Sequence, residues 1–253
     1  MFPSRPLLIL QMGRPPEDIR SRFGEQPDWF RTAIGEHGAM AKVVRPFLGE
    51  KIPDAGSFEA AIITGSWAMV TDREVWSERT ARWIRTVMEA GQPLLGVCYG
   101  HQLMAHALGG EVNYHPQGRE VGLQTITLSQ DAAQDPLLAG FPAKFEANLT
   151  HEQSVLKPPP GATVRGRSDH DPHQILRYGP NALSVQFHPE FTPEIMRACI
   201  ARRAERFEAE GLDVSGMLAR LAPTPHALHL LQKFIGGRPR PWHCGRHPGC
   251  ARR

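Results

Sequence analysis

Only four cysteines occur in the 253 residues, too few for a disulfide framework, so a reducing compartment is expected. No apolar run approaches the ~20 residues of a membrane span. The short run RPLLIL near the N-terminus carries an Arg and is too short for a signal-peptide core. These absences predict a cytoplasmic protein with no membrane partner. No Lys/Arg run reaches five and the formal net charge is only +3, which argues against a nucleic-acid partner. No internal repeat is visible, so a solenoid is not indicated.

What is present is ordinary globular composition, 41% hydrophobic and 22% charged, in a chain long enough to bury a sizeable core. Short apolar runs alternate with amphipathic stretches. PLLIL (6–10), AKVVRPF (41–47), FEAAIITGS (58–66) and PLLGV (93–97) read as buried strands. EDIRSRFGEQPDWFRTAIGEHG reads as helix in two pieces. EVWSERTARWIRTVMEAG reads as an amphipathic helix with Val75, Trp76, Ala81, Trp83, Ile84, Val87 and Met88 on its apolar stripe. This alternation predicts an α/β fold: a flavodoxin-like, open, mostly parallel sheet with helices on both faces. EVGLQTITL and ATVRGRS alternate apolar and polar residues and predict a small antiparallel region. NALSVQFHPEF returns to a buried strand, and Thr192-Pro193-Glu194 starts a further helix. One domain over residues 1–237 is expected, followed by a disordered Arg/Pro/Gly tail over 238–253 whose His243, Cys244, His247 and Cys250 are spaced too tightly for an ordinary zinc module.

The sequence GVCYGHQ places Cys98 at a strand-to-helix junction, with Gly96 and Gly100 two residues to either side. This is the pattern of a nucleophile elbow with Cys in place of Ser. Such a turn aims its side chain into the crevice at the carboxyl edge of the sheet, where open α/β folds bind ligands. The Tyr99 N–H would then point at a developing oxyanion. A cysteine nucleophile needs a base and a group to orient that base. His188 and Glu190 in QFHPEF supply both, because Pro189 forbids a helix between them and residues two apart on extended backbone leave on the same side. A buried, inert core thiol is the competing reading for Cys98 alone; Cys199, on an apolar helix stripe, fits that description better. His101 and His106 lack a further ligand nearby in sequence, so no metal site is expected.

GVCYGHQ together with SVQFHPE resembles the class I glutamine amidotransferases, the Cys-His-Glu glutaminase domains, over nearly the whole chain. THEQSVLKPPPGATV and HQILRYG resemble the free-standing, GMP synthase-like branch in particular. The resemblance implies that Cys98 attacks the carboxamide of glutamine to give a γ-glutamyl thioester and ammonia. It gives His188 the role of proton carrier and Glu190 that of its orienting group. It assigns the oxyanion hole to the N–H groups of Gly65 and Tyr99, and substrate contacts to Gln102, Glu120 and Val121. No cofactor is implied. Two departures stand out: the family's His-x-Asp is replaced by His151-Glu152-Gln153, and Tyr99 occupies an elbow position where Phe or Leu is common.

No S-G-G-x-D-S pyrophosphatase loop or P-loop occurs. An ammonia acceptor is therefore expected on a separate synthetase subunit. The same three residues would equally serve a stand-alone hydrolase of γ-glutamyl peptides or conjugates, because attack at the γ-carbonyl does not depend on which amine leaves. A non-catalytic module that has kept the fold is the third reading, and the intact Cys98, His188 and Glu190 speak against it. The loops at Trp67–Asp72 and His151–Ser154 are expected to set the width of the leaving-group side.

Overall fold

The computed structural model describes residues 5–236; the tail over 238–253 and its Cys/His group lie outside them. Strand β1 (Leu7–Leu10) is apolar at every position and buried at every position. Alternate side chains of a strand leave on opposite faces, so such a strand must be covered twice. It lies between β2 (Lys42–Val44) and β3 (Ala60–Ile63), parallel to both. β4 (Leu94–Val97) pairs parallel with β3, and β11 (Ala182–Val185) pairs parallel with β4. The five strands run in the order β2-β1-β3-β4-β11, the flavodoxin-like order.

One face gathers Leu7, Ile9, Ala60, Ile62, Leu95 and Val97 against α2 (Gln26–Ile34) and α9 (Pro225–Gly236). The other gathers Leu8, Leu10, Ala61, Ile63 and Leu94 against α4 (Val75–Glu89) and α5 (Tyr99–Ala107). Each full burial of such a side chain contributes about 1.5–3 kcal/mol. The mostly parallel sheet with helices on both faces is thus present as expected.

The antiparallel region is larger than the sequence suggests. β6 (Glu120–Leu128), β7 (Lys144–His151), β9 (Thr163–Arg167) and β10 (Ile175–Gly179) continue the main sheet beyond β11 in the order β10-β9-β6-β7, making nine strands. Only β5 (Glu111–Tyr114) and β8 (Gln153–Lys157) form a separate two-stranded sheet. The first helical stretch divides into three, α1 (Glu17–Phe23), α2 and α3 (Glu36–Ala39), not two. Val75, expected on the buried stripe of α4, is 82% exposed because it is that helix's first residue and lies beyond the sheet's cover. Among the described residues, no helix is long and apolar enough to cross a membrane.

A third apolar cluster joins α1 to α6 (Pro193–Arg202), α7 (Ala204–Ala209) and α8 (Val214–Arg220) through Ile19, Met196, Ile200, Phe207 and Met217. α6 starts where expected: Thr192 Oγ1 accepts from the Ile195 N–H at 3.4 Å, and Pro193 follows at the first helical position. This cluster forms one wall of the cleft described below.

The buried Arg177 Nε donates to Asp135 Oδ2 at 2.8 Å, tying β10 to the turn that follows β6. Removing one member of a buried ion pair strands the other charge. Asp135→Ala is expected to lower stability by about 3–5 kcal/mol, read from the shift of the urea midpoint at constant m-value.

Candidate active site

Three chain segments converge at the carboxyl edge of the parallel strands. The first is the elbow after β4. Cys98 sits at φ 51°, ψ −103°, outside the regions an L-residue prefers. Its N–H donates to Val185 O at 2.9 Å, and its carbonyl accepts from the Gln102 N–H at 3.0 Å. The turn closes only because its flanking residues lack side chains. A Cβ on Gly96 would stand 2.6 Å from Gly100 O, and one on Gly100 would stand 2.3 Å from Ile63 O. The G-x-C-x-G spacing is therefore a steric requirement of the chain reversal.

The second segment follows β11. The His188 N–H donates to Asn148 O of β7 at 2.9 Å, which fixes the backbone. Its ring stacks on Phe191 at 4.0 Å and 19°. His188 Nδ1 bonds Glu190 Oε1 at 2.8 Å, while Nε2 is buried and has no hydrogen-bond partner. Burial alone would push this imidazole's pKa down. The Glu190 carboxylate and the Cys98 sulfur outweigh that and raise it to about 10. The protonated form is thus favoured by the two acidic groups that flank the ring.

The third segment follows β3. A Cβ built on Gly65 would lie 3.0 Å from His188 Cε1 and 3.6 Å from Cys98 Cβ. Gly65, Cys98 and His188 therefore meet around one point, and a side chain at 65 would crowd the His188 ring. The Tyr99 N–H opens α5, where the first helical N–H groups have no acceptor within the helix. The Tyr99 side chain turns away from the site: its hydroxyl bonds Ser77 Oγ at 2.6 Å and its ring stacks with Trp76 at 5.8 Å. Only its backbone is left for the reaction.

Two clefts open on Cys98. Both include Ser66, Trp67, Thr150 and Arg203. The first adds His188, Phe191, Cys199 and Ile19; the second adds Gln102, His151, Glu152 and Gln153. Gln102 Nε2 donates to Gln153 O at 2.6 Å and Gln186 Oε1 at 3.0 Å, so the helix-borne amide is anchored at the second cleft.

Glu120 and Val121 line neither cleft. Glu120 is buried behind His151, its Oε2 3.0 Å from His151 Nε2 and accepting from Gln174 Nε2 at 2.8 Å. Val121 packs in the third apolar cluster. The residues opposite them in the β6–β7 ladder, His151 and Thr150, are the ones that face the cavity. The strand pairing thus puts Glu120 behind His151, which lines the second cleft. Ser66, Thr150 and Arg203 were not among the residues singled out from sequence, since none belongs to a recognisable spacing.

His101 and His106 serve separate partners: His101 Nδ1 bonds the buried Ser184 Oγ at 2.7 Å and His106 Nε2 bonds Glu78 Oε1 at 2.9 Å. No group of three or more His, Cys, Asp or Glu stands in metal-binding range among the described residues.

Two outcomes follow from this geometry. Gly100→Ala is expected to cost about 2–3 kcal/mol in urea unfolding, because backbone must move. Because the folded pKa of His188 exceeds its ordinary value of 6.5, its charge stabilises the fold fully below about pH 6.5, and that contribution is lost as pH rises through about 10. In Glu190→Gln the main cause of the rise is gone. The stability gap between wild type and this variant should be widest below about pH 6.5 and close toward about pH 10, and NMR should show the His188 ring titrating at lower pH in the variant.

The same architecture recurs in solved structures of low sequence identity. The glutamine amido transferase of Methylobacillus flagellatus superposes with a TM-score of 0.76 at 21% identity, covering 96% of this chain and 99% of that one. A glutamine amidotransferase of Thermotoga maritima gives 0.71 at 20%, covering 92% and 99%. In sequence, γ-glutamyl peptidase 2 of Arabidopsis thaliana is 28% identical over 228 residues, 88% of this chain and 92% of the relative. The glutamine-hydrolysing GMP synthase of Aeropyrum pernix is 34% identical over 143 residues, 56% of this chain but 26% of the relative. The profile described as glutamine amidotransferase class-I matches residues 29–204, and the chain belongs to that family.

Proposed function

We propose that the protein hydrolyses γ-glutamyl amide bonds through a thioester on Cys98, with His188 moving the protons and Glu190 holding His188. One observation carries this reading. The His188 ring is fixed by Glu190 through Nδ1 and stands beside a cysteine on a strained elbow that helps raise its pKa.

The steps balance as follows. With the proton already held on His188 Nε2, Cys98 Sγ adds to the γ-carbonyl carbon. The carbonyl oxygen takes the negative charge opposite the N–H groups of Gly65 and Tyr99, where each lost donor typically costs about 3 kcal/mol of barrier. His188 Nε2 then protonates the departing nitrogen, the C–N bond breaks, and a γ-glutamyl thioester remains. Water, deprotonated by His188, attacks the thioester; the C–S bond breaks and glutamate leaves with the thiol restored. Gln102 lies in the cleft that would hold the glutamyl portion.

Two readings of the leaving amine have support. A stand-alone γ-glutamyl peptidase fits the match to γ-glutamyl peptidase 2, which runs along nearly the whole of both chains. A glutaminase that passes ammonia to a separate synthetase fits the match to GMP synthases, which covers about a quarter of such an enzyme. The end-to-end correspondence favours the first. In neither case is a cofactor required by the steps above.

Glutamate release from a γ-glutamyl dipeptide and from glutamine, each with the protein alone, decides between them. Dipeptide turnover at least about tenfold faster than glutamine turnover is expected, and Cys98→Ala is expected to lower both by about 10⁴ or more. Glutamine hydrolysis that outruns a barely cleaved dipeptide would favour the ammonia-donating reading. Equal rates for wild type and Cys98→Ala would refute the thioester.

A further inference from the structure

The proton on His188 Nε2 must go to the departing nitrogen, so the cleft that His188 lines is the one the leaving amine occupies. Its lining joins the apolar Ile19 and Phe191 to Cys199, Arg202 and Arg203.

The arginines of this region are not equivalent. Arg119 Nη1 donates to Glu152 Oε1 at 2.7 Å, and Arg206 Nη2 to Glu152 Oε2 at 3.2 Å. The same two arginines share Glu210: Arg119 Nη2 reaches its Oε1 at 2.9 Å and Arg206 Nε at 3.1 Å. Arg202 pairs with Asp18. Every carboxylate in the group is thereby engaged. Arg203 is left over: half-buried, lining both clefts at Cys98, and without an ion pair or side-chain hydrogen bond among the described residues. Burial pushes its pKa down, Glu152 opposes this only in part, and Arg119 and Arg206 add like charge. A guanidinium so placed is short of an anion, and its planar fork suits a carboxylate.

Resting on the γ-glutamyl reading above, we propose that Arg203 is a specificity residue that binds the carboxylate of the leaving amino acid or short peptide. The substrate class is then γ-glutamyl compounds whose amine portion ends in a free carboxylate, with its side chain against Ile19, Phe191 and Cys199. Ammonia and simple alkylamines lack the anion and leave Arg203 unpaired.

The test compares a γ-glutamyl dipeptide with the same compound amidated at its C-terminus, in wild type, Arg203→Gln, Arg203→Lys and Cys98→Ala. Wild type is expected to favour the free acid by about tenfold or more in kcat/KM, mostly through KM. Arg203→Gln should bring that ratio to about one, and Arg203→Lys should restore part of it because the charge returns without the fork. A ratio that stays the same in wild type and Arg203→Gln would overturn the assignment while Cys98-dependent cleavage keeps the γ-glutamyl reading standing. A ratio near one already in wild type would do likewise. Equal loss in Arg203→Gln on acid, amide and glutamine would also overturn it, placing the residue against the glutamyl carboxylate instead. Absence of Cys98-dependent cleavage from every substrate would remove the γ-glutamyl reading and this assignment with it.

Discussion

The close approach of α5 to β3 and β4 is the constraint from which the site follows. At Gly100 the helix backbone comes so near Ile63 O that no side chain fits between them, and Gly96 is closed off by Gly100 in turn. The chain must therefore reverse within a few residues, which leaves Cys98 at φ 51°. Strain of this kind costs of order 1–3 kcal/mol and survives only where the surrounding structure enforces it. Here it is enforced by apolar strands packed on both faces and by the Cys98 N–H bond to β11. That bond also sets the distance from the elbow to the segment carrying His188, since both hang from the end of the same strand.

Behind Cys98 and His188 lies a layer of buried polar groups. His188 leans on Glu190, His151 leans on Glu120, and Gln102 joins Gln186 and Gln153. In a low-dielectric interior such bonds hold side chains rigidly, and an unmet partner is costly. His188 Nε2 is such an unmet group. Charge is arranged in the same spirit: Arg119 and Arg206 are neutralised by Glu152 and Glu210, while Arg203 remains at the cleft.

The parts legible in the sequence were those with a local signature. Fully apolar runs announced the parallel strands, the two glycines announced the elbow, and Pro189 fixed how His188 and Glu190 leave the chain. β7 and β10 had no such signature. KFEANLTH contains the buried Asn148 and the cleft-facing Thr150, so its alternation is blurred by the polar residues the site needs. The pairing behind Glu120 and Val121 was not legible either: Glu120 and His151 are opposite each other in a ladder that only the folded sheet defines. Arg203 was invisible for a similar reason. Nothing marks it among the arginines of RACIARRAERFEAE until the ion pairs of its neighbours are known.

The account's central claim is a covalent one, that the γ-glutamyl group passes through the sulfur of Cys98. Rapid acid quenching of the protein during turnover of a γ-glutamyl dipeptide, followed by intact-mass and peptide-level mass spectrometry, tests it directly. A γ-glutamyl adduct confined to Cys98 and absent in Cys98→Ala is the predicted result. Turnover with no adduct, or an adduct on any other residue, would contradict it.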